Sequence, residues 1–358
     1  MHLYNTHGIC EFCARHLPAE VHDRDGKIVM DKECPEHGKS TVIIMNDSKF
    51  YHDLTYNKQG HRYRTLDSVL FEVTNKCNLA CPDCYQIPDN KSIDKPPFKI
   101  VDEIKSLGDD KFTVTFAGAE PTVSKNIIET LAEVRGSITN KEITFLTNGI
   151  KFADRDFTQA LIRNGLAGVH LGLNHLTYQG EVVHNKQLQG IANLAKENLT
   201  MQITYTVEKY EHLSDVILEI LDLKKQHDSI EIFKVRMGSN IGRVGNAGFK
   251  TLSDNFNEFV TVCNQLKLPW YIENEDNNIY HVMVNVNGAP IRVIQWPDAS
   301  NLNLHETKTG PWCNFYNGPV TNFLHQIIMR DMTVNKGLTL HDTVPIEYTR
   351  SACIQSVL

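Results

Sequence analysis

Three cysteines, Cys77, Cys81 and Cys84, stand in a Cys-x3-Cys-x2-Cys run within Thr-Asn-Lys-Cys-Asn-Leu-Ala-Cys-Pro-Asp-Cys-Tyr. An iron–sulfur cube normally takes four thiolates, one per iron. Three close thiolates with no fourth nearby point to a cube with one iron left open. An open coordination position marks a metal that does chemistry, whereas a closed shell marks a structural one. A structural zinc site is the competing reading of the same triad. A second ligand set lies upstream, where Cys10-Glu-Phe-Cys13 is followed after twenty residues by Cys34-Pro-Glu-His37-Gly. Two such pairs can wrap one tetrahedral ion on two turns, as zinc ribbons and rubredoxin-like knuckles do. Thiolate-rich ligation does not separate Zn2+ from a single iron. His2, His7 and His16 compete with His37 for the fourth position. A module this small has little core of its own, so the expected role of the ion is to hold it together.

The elements that must position these ligands follow from apolar patterning. Strand-like runs occupy 68–73, 112–116, 143–146, 169–173, 201–207 and 230–235. Helical periodicity lies between them near 99–107, 126–135, 158–164, 187–198 and 214–225, with a last helix near 254–266. Repeated βα units of about 30 residues imply a parallel sheet with helices outside. Right-handed crossovers would curl that sheet. Periodicity alone leaves an open doubly wound sheet and a curved six-stranded one both standing. Upstream, 26–30 follows the polar turn Asp23-Arg24-Asp25 as one arm of a hairpin, and 40–45 is a further strand. Downstream, 279–286 alternates, Asn287-Gly288 follows and 291–296 resumes a strand, which is a hairpin signal. The stretch from Trp296 to Tyr316 holds Trp312 among polar and turn residues, as suits a substrate-contacting lid or a loop plugging the barrel mouth. The expected division is a metal-binding module at 1–48, a polar linker with a short helix at 49–66, the barrel at 67–270 and a C-terminal extension at 271–358.

Composition narrows the class. The 358 residues, 41% hydrophobic and 22% charged, are those of an ordinary globular protein. A net charge of −7 without a long basic run gives no support for a nucleic-acid partner. No apolar stretch approaches the roughly 18 residues a membrane span needs, and the N-terminus lacks the features of a signal peptide. Nine cysteines without an export signal argue for thiolate ligands in a reducing cytoplasm rather than a disulfide framework. Cys263 sits at helical spacing with Phe256, Phe259 and Val260 and reads as core. Cys313 and Cys353 are too far apart to suggest a second cluster; Cys313, beside Trp312, is a candidate redox or hydrogen-donating thiol.

The triad resembles the signature of the radical S-adenosylmethionine (SAM) enzymes. That resemblance implies a partial (β/α)6 barrel with its catalytic groups at the C-terminal strand ends. It also implies a [4Fe–4S] cluster whose open iron is chelated by SAM, and reductive cleavage to a 5′-deoxyadenosyl radical that abstracts hydrogen. Ala117-Gly118-Ala119-Glu120-Pro121-Thr122 looks like the family's Gly-Gly-Glu-Pro segment, with alanines at the flanking glycine positions. The resemblance places Gly118, Ala119 and Glu120 at the SAM amino group. It also puts Asn148 of Thr147-Asn148-Gly149 in the third loop and Asn174 at the ribose or carboxylate. Arg236 and Arg243 both qualify for the carboxylate. Many members carry an aromatic residue just before the third cysteine; that position is Asp83, so the adenine contact falls here to the backbone or to Tyr85. The N-terminal ligand pattern resembles a branch with archaeal tetraether-lipid synthases and a pterin methyltransferase. The implied activity is C–H functionalisation of a small-molecule or lipid substrate, with a flavodoxin or ferredoxin as reductant. The rival class is a non-catalytic iron–sulfur electron carrier or sensor.

Overall fold

A computed structural model describes residues 1–10, 12–13, 15–55, 68–81, 84, 88–105, 112–138, 141–173, 180–207, 209–237, 250–278, 280–295, 304–307, 310–313, 318–319 and 353–355. The chain opens with four antiparallel strands, β1 (His2–Ile9), β2 (His16–Arg24), β3 (Lys27–Cys34) and β4 (Gly38–Met45), each paired with the next. The β2–β3 hairpin turns on Asp25 (φ 53°) and Gly26 (φ 74°). Two successive left-handed residues are what a tight two-residue turn between twisted strands requires. This small sheet divides its burial between two places. Val21, Ile28, Met30, Ile44 and Met45 join the main hydrophobic core of the protein, while Cys10, Leu17 and Cys34 form a separate cluster with Cys13 packed on it. The module therefore borrows most of its core from its neighbour, and the candidate metal ligands lie in the smaller cluster.

The helix α1 (Ser48–Thr55) follows, and then the alternating region begins. Its strands are β5 (Ser68–Thr74), β6 (Thr113–Gly118), β7 (Ile143–Thr147), β8 (Leu166–Gly172), β9 (Thr200–Val207) and β10 (Ile230–Met237). They pair in parallel, in chain order. Between them run α2 (Pro97–Lys105), α3 (Ile127–Ser137), α4 (Arg155–Arg163), α5 (Glu181–Lys196) and α6 (Leu213–Gln226), with α7 (Leu252–Gln265) after the last.

Side-chain alternation decides between the two sheet architectures. Phe71, Phe116, Phe145, Leu171, Ile203 and Phe233 share one face and one core with the apolar residues of the helices. Register puts Glu72, Ala117, Leu146, His170 and Gln202 on the opposite face, and none of them belongs to that core. A doubly wound sheet has helices on both faces and strands that are apolar throughout. Here the helices cover one face alone, as in a barrel. The fold is α/β, a partial (β/α)6 barrel preceded by a small metal-binding sheet.

The sheet runs on past β10. β13 (Ala289–Ile294) pairs with it in parallel, and β12 (His281–Val286) and β11 (Trp270–Asn278) add antiparallel strands. The β12–β13 turn is Asn287-Gly288, with φ values of 49° and 88°, as its sequence expects. The short strands β14 (Leu304–Thr307), β15 (Gly310–Cys313) and β16 (Gly318–Pro319) extend the N-terminal sheet from the edge of β1, and β17 (Cys353–Gln355) pairs with β5. Among the described residues no helix is long and apolar enough to cross a membrane.

Helix α5 begins at Glu181, earlier than the apolar period suggests, because it packs through a polar stripe of His184, Gln187 and Asn193. Gly190 lies on that stripe, and a Cβ there would come within 2.7 Å of the Gly149 carbonyl oxygen. Alanine would add about 1 kcal/mol of helix propensity. Overpacking costs about 1–3 kcal/mol, and a backbone oxygen cannot swing aside. Gly190→Ala is therefore expected to lower the urea midpoint; an unchanged or higher midpoint would show that α5 and the loop after β7 separate freely.

Candidate active site and metal centre

The cysteine triad sits in the loop that leaves the C-terminal end of β5. Its base is tied off at several points. Lys95 N–H donates to the Val73 carbonyl at 3.0 Å and Asp89 N–H to the Asn75 carbonyl at 2.8 Å. Cys77 N–H donates to Asn90 Oδ1 at 3.0 Å. The buried Asp94 carboxylate accepts from Thr74 Oγ1 at 2.6 Å and Lys125 N–H at 3.0 Å, with Lys76 Nζ at 3.0 Å. Burial raises the Asp94 pKa, but these donors outweigh it and hold the carboxyl below its ordinary value. Cys77, Cys81 and Cys84 are all half-buried and free of disulfides. The Leu79 N–H donates to Cys77 Sγ at 3.3 Å. Burial first, then the nearby Glu120 and Cys84, push the Cys77 thiol up to about 11.

The next two loops are locked to this one through Glu120, whose side chain is 1% exposed. One carboxylate oxygen accepts from Thr122 N–H (3.0 Å), Thr122 Oγ1 (2.6 Å) and Thr147 Oγ1 (2.8 Å), and the other from Asn148 N–H (2.6 Å). Burial raises its pKa, and the four hydrogen bonds recover only part of that shift. The Glu120 N–H donates to the Lys76 carbonyl at 2.9 Å, and the Ala119 N–H to the Thr74 carbonyl at 3.1 Å. Gly118 permits this approach: its φ is 128°, and a Cβ would lie 2.2 Å from the Thr74 oxygen. Asn148 Nδ2 reaches back to Asn78 Oδ1 at 2.7 Å, inside the cysteine loop. From behind, Gln187 Nε2 donates to the carbonyls of Asn148 (2.7 Å) and Gly172 (2.8 Å).

At the N-terminal knuckle, Cys13 and Cys34 Sγ are 3.8 Å apart, and His37 Nδ1 lies 3.6 Å from Cys10 Sγ and 3.5 Å from Cys34 Sγ. A tetrahedral zinc with bonds of about 2.3 Å to sulfur and 2.05 Å to nitrogen sets S···S edges of about 3.8 Å and S···N edges of about 3.6 Å. The donor set fits one ion. His37 Nδ1 is the fourth donor atom of the group, whereas His2 is engaged with Asn5 at 2.9 Å. Among the described residues this quartet is the one group whose ligand atoms all lie within 4.8 Å of one another. The Cys77 triad does not converge in that way.

Two family models match the chain: an HMPTM N-terminal zinc ribbon domain over residues 2–46, and the radical SAM superfamily over residues 71–221. The chain carries a radical SAM domain. Among its relatives is a 7,8-dihydro-6-hydroxymethylpterin dimethyltransferase of Methanocaldococcus jannaschii, 27% identical over 223 residues, which are 54% of this chain and 44% of that protein. Another is a GTP 3′,8-cyclase of Clostridium perfringens, 28% identical over 173 residues, 45% of this chain and 52% of that protein. The chain spans about half the length of these relatives. Streptococcus suis SuiB is a structural neighbour with a TM-score of 0.45 and 16% identity, over 65% of this chain and 50% of that one.

Within the radical SAM domain, Cys77, Cys81, Cys84, Gly118, Ala119, Glu120 and Asn148 meet at the ends of β5, β6 and β7. Arg236 lies at the end of β10, 9% exposed, with Nη2 donating to Thr206 Oγ1 at 2.9 Å. Tyr85, Asn174 and Arg243 lie outside the described residues, as do Trp296 and the side chains of Trp312, Cys313 and Cys353. Sequence reasoning missed Asn78, Asn90, Asp94 and Gln187, which hold the loops. The domain's cofactors are a [4Fe–4S] cluster and SAM, and the ribbon provides a Cys/His metal site.

Two expectations follow. Chelation of the ribbon metal should speed hydrogen exchange at 10–17 and 34–37 while 20–31, packed on the main core, stay protected; loss of protection across the whole ribbon would show that the ion holds all of it. Because the Asp94 pKa is depressed on folding, its stabilisation is present above the unfolded value of about 3.9 and is lost as pH falls through the lower folded value. Asp94→Asn should cost about 1–3 kcal/mol at pH 7, and its deficit against the parent should close on acidification through that window. A deficit that stays constant in urea titrations from pH 7 to below the window would show that the charge does not hold the loop.

Proposed function

We propose that the chain is a radical SAM enzyme that functionalises a C–H bond of a small molecule. The observation that carries this reading is the joining of three loops at one rim, with the thiol triad in the first and the Glu120 carboxylate bridging the second and third. Cys77, Cys81 and Cys84 would hold three irons and leave the fourth for SAM. When bound, cluster and cofactor supply a one-electron cleavage that yields a carbon radical able to take hydrogen from an unactivated position. The protein's own part is positional. Glu120 and Gln187 fix the loop carbonyls and amides around the cofactor, and Gly118 allows the main chain of the second loop to close on the first. Arg236 stands where a guanidinium can pair with the cofactor's carboxylate. Asn174, Arg243 and Tyr85 are assigned to the same cofactor by resemblance. An external one-electron donor of the flavodoxin or ferredoxin type is required. The residues from 271 onward are assigned to the substrate side of the barrel mouth.

Methyl transfer is the reaction to test first. It is favoured by the match of residues 2–46 to a zinc ribbon of the HMPTM type and by the relative named as a pterin dimethyltransferase. A lipid substrate has no comparable support.

Anaerobic reconstitution with iron, sulfide, dithionite and SAM is expected to release 5′-deoxyadenosine or S-adenosylhomocysteine, and Cys81→Ala to reduce both to background. If neither product forms, and SAM leaves the electron paramagnetic resonance spectrum of the reduced cluster unchanged, the protein is an electron carrier or sensor instead.

A further inference from the structure

The two faces of the barrel strands differ in how completely they are covered. On the helix side Leu171, Ile203, Tyr205 and Phe233 are fully buried. On the inner face His170, Gly172, Gln202, Thr204 and Ile232 are only half-buried, although they belong to central strands. A barrel filled by its own side chains would bury both faces alike. The inner face of β8 to β10 is therefore lined by side chains rather than plugged by them.

Two glycines on β8 locate the opening. Gly168, His170 and Gly172 share the inner face at a spacing of two. A Cβ at Gly168 would come within 3.2 Å of the Thr200 carbonyl oxygen and 3.4 Å of Thr144 Cγ2. The buried Thr115 and Thr144 hydroxyls hydrogen-bond at 2.9 Å in the same layer, so the barrel is closed below His170. Among the described residues a Cβ at Gly172 would meet the Thr147 oxygen alone, at 3.8 Å. Glycine inside a strand often marks close approach of another group to the backbone, and at Gly172 nothing described takes that place. The Gly172 carbonyl is the one that Gln187 holds at 2.8 Å. The space above His170 thus opens toward the rim where the loops meet, about 6.6 Å along the strand.

The floor of that space is polar. His170 and Gln202 are register partners across β8 and β9, with Leu146 on the far side of His170 and Ile232 on the far side of Gln202. Gln202 Oε1 is buried and has no hydrogen-bond partner in the protein, a costly state for an amide oxygen. Burial, then the Lys234 charge, drive the His170 imidazole down to about 3. The ring is therefore neutral and offers one donor and one acceptor nitrogen. A primary amide also carries an acceptor beside a donor, and it pairs two-for-two with a planar edge that does the same. The flanking aliphatic side chains suit the faces of a flat ring.

We propose that Gln202 and His170 read the substrate at the floor of the barrel lumen, Gln202 pairing with an edge that offers an N–H beside an acceptor and His170 with the next polar atom of the same ring. The substrate class this selects is a flat nitrogen heterocycle bearing a cyclic amide or amidine. That the bound ring is the substrate rests on the radical SAM reading, whereas the recognition itself does not.

The test uses the reconstituted full chain saturated with SAM. Pterin and hypoxanthine present the edge on two ring systems, and 3-methylpterin and 1-methylhypoxanthine have its N–H replaced. In anaerobic calorimetric titration at least one unmethylated ring is expected to bind about tenfold or more tighter than its methylated counterpart, because a blocked donor leaves the Gln202 oxygen unpaired. Gln202→Met, similar in size, should erase that preference, and His170→Leu should weaken binding of the unmethylated ring by about tenfold. Gln202→Glu keeps an acceptor oxygen in place and should keep the preference, which separates recognition from misfolding. Binding of neither ring, no preference over the methylated forms, or a preference unaltered in Gln202→Met overturns the proposal. Selective binding without any SAM cleavage would leave the recognition standing and sink the radical reading. Cleavage without selective binding would do the reverse.

Discussion

Around the Glu120 carboxylate the chain concentrates four hydrogen bonds from the second and third barrel loops, while the same residue's N–H donates to the first. Hydrogen bonds to a charged group contribute about 1.5–3 kcal/mol each, against a desolvation cost of comparable total size. Such a balance tolerates no partial version. Withdrawing one loop leaves a buried charge short of donors, and the carboxyl must then take up a proton or draw in water. The three loops consequently hold one arrangement together or lose it together. This is the rigidity that a shared cofactor site demands, because groups from separate strands must hold their positions to within a fraction of an ångström.

Most of the strands and helices were legible in the sequence because they obey simple periods. In Thr200 to Val207 buried positions alternate with half-buried or exposed ones, while Ile143 to Thr147 is buried at every position but Leu146. The metal ligands were legible as well, since paired cysteines two residues apart have few other uses. What escaped notice was the polar scaffolding. Asp94, Asn90 and Gln187 have no spacing that marks them, and their partners are backbone groups far away in sequence. Gln187 illustrates the difficulty: it is fully buried in a helix, where an apolar period expects leucine, and only the two carbonyls it serves explain it. The same stripe concealed the first turns of α5. Glu120 was visible as a motif residue, but its enclosure was not, because burial belongs to the loops that close over it.

The division of the N-terminal module's burial bears on how the parts communicate. Phe50 of α1 packs on Phe256 of α7, with ring centroids 5.0 Å apart. Asn46, just after β4, donates from its side chain to the Asp254 carboxylate at 2.8 Å, and Asp254 also accepts from Thr251 N–H at the start of α7. The ribbon is thus mortised to the helix that follows the last barrel strand. At its other edge, β1 pairs with β14, so the ribbon sheet continues directly into the β14–β15 hairpin that bears Trp312 and Cys313. A bare sheet edge invites pairing with other chains, and here both β1 and β5 are covered by strands from the C-terminal residues. One segment therefore seals the ribbon and the barrel at once. The ribbon is therefore tied to the rest of the chain at both edges of its sheet, through α1 and Asn46 beside β4 and through β14 beside β1.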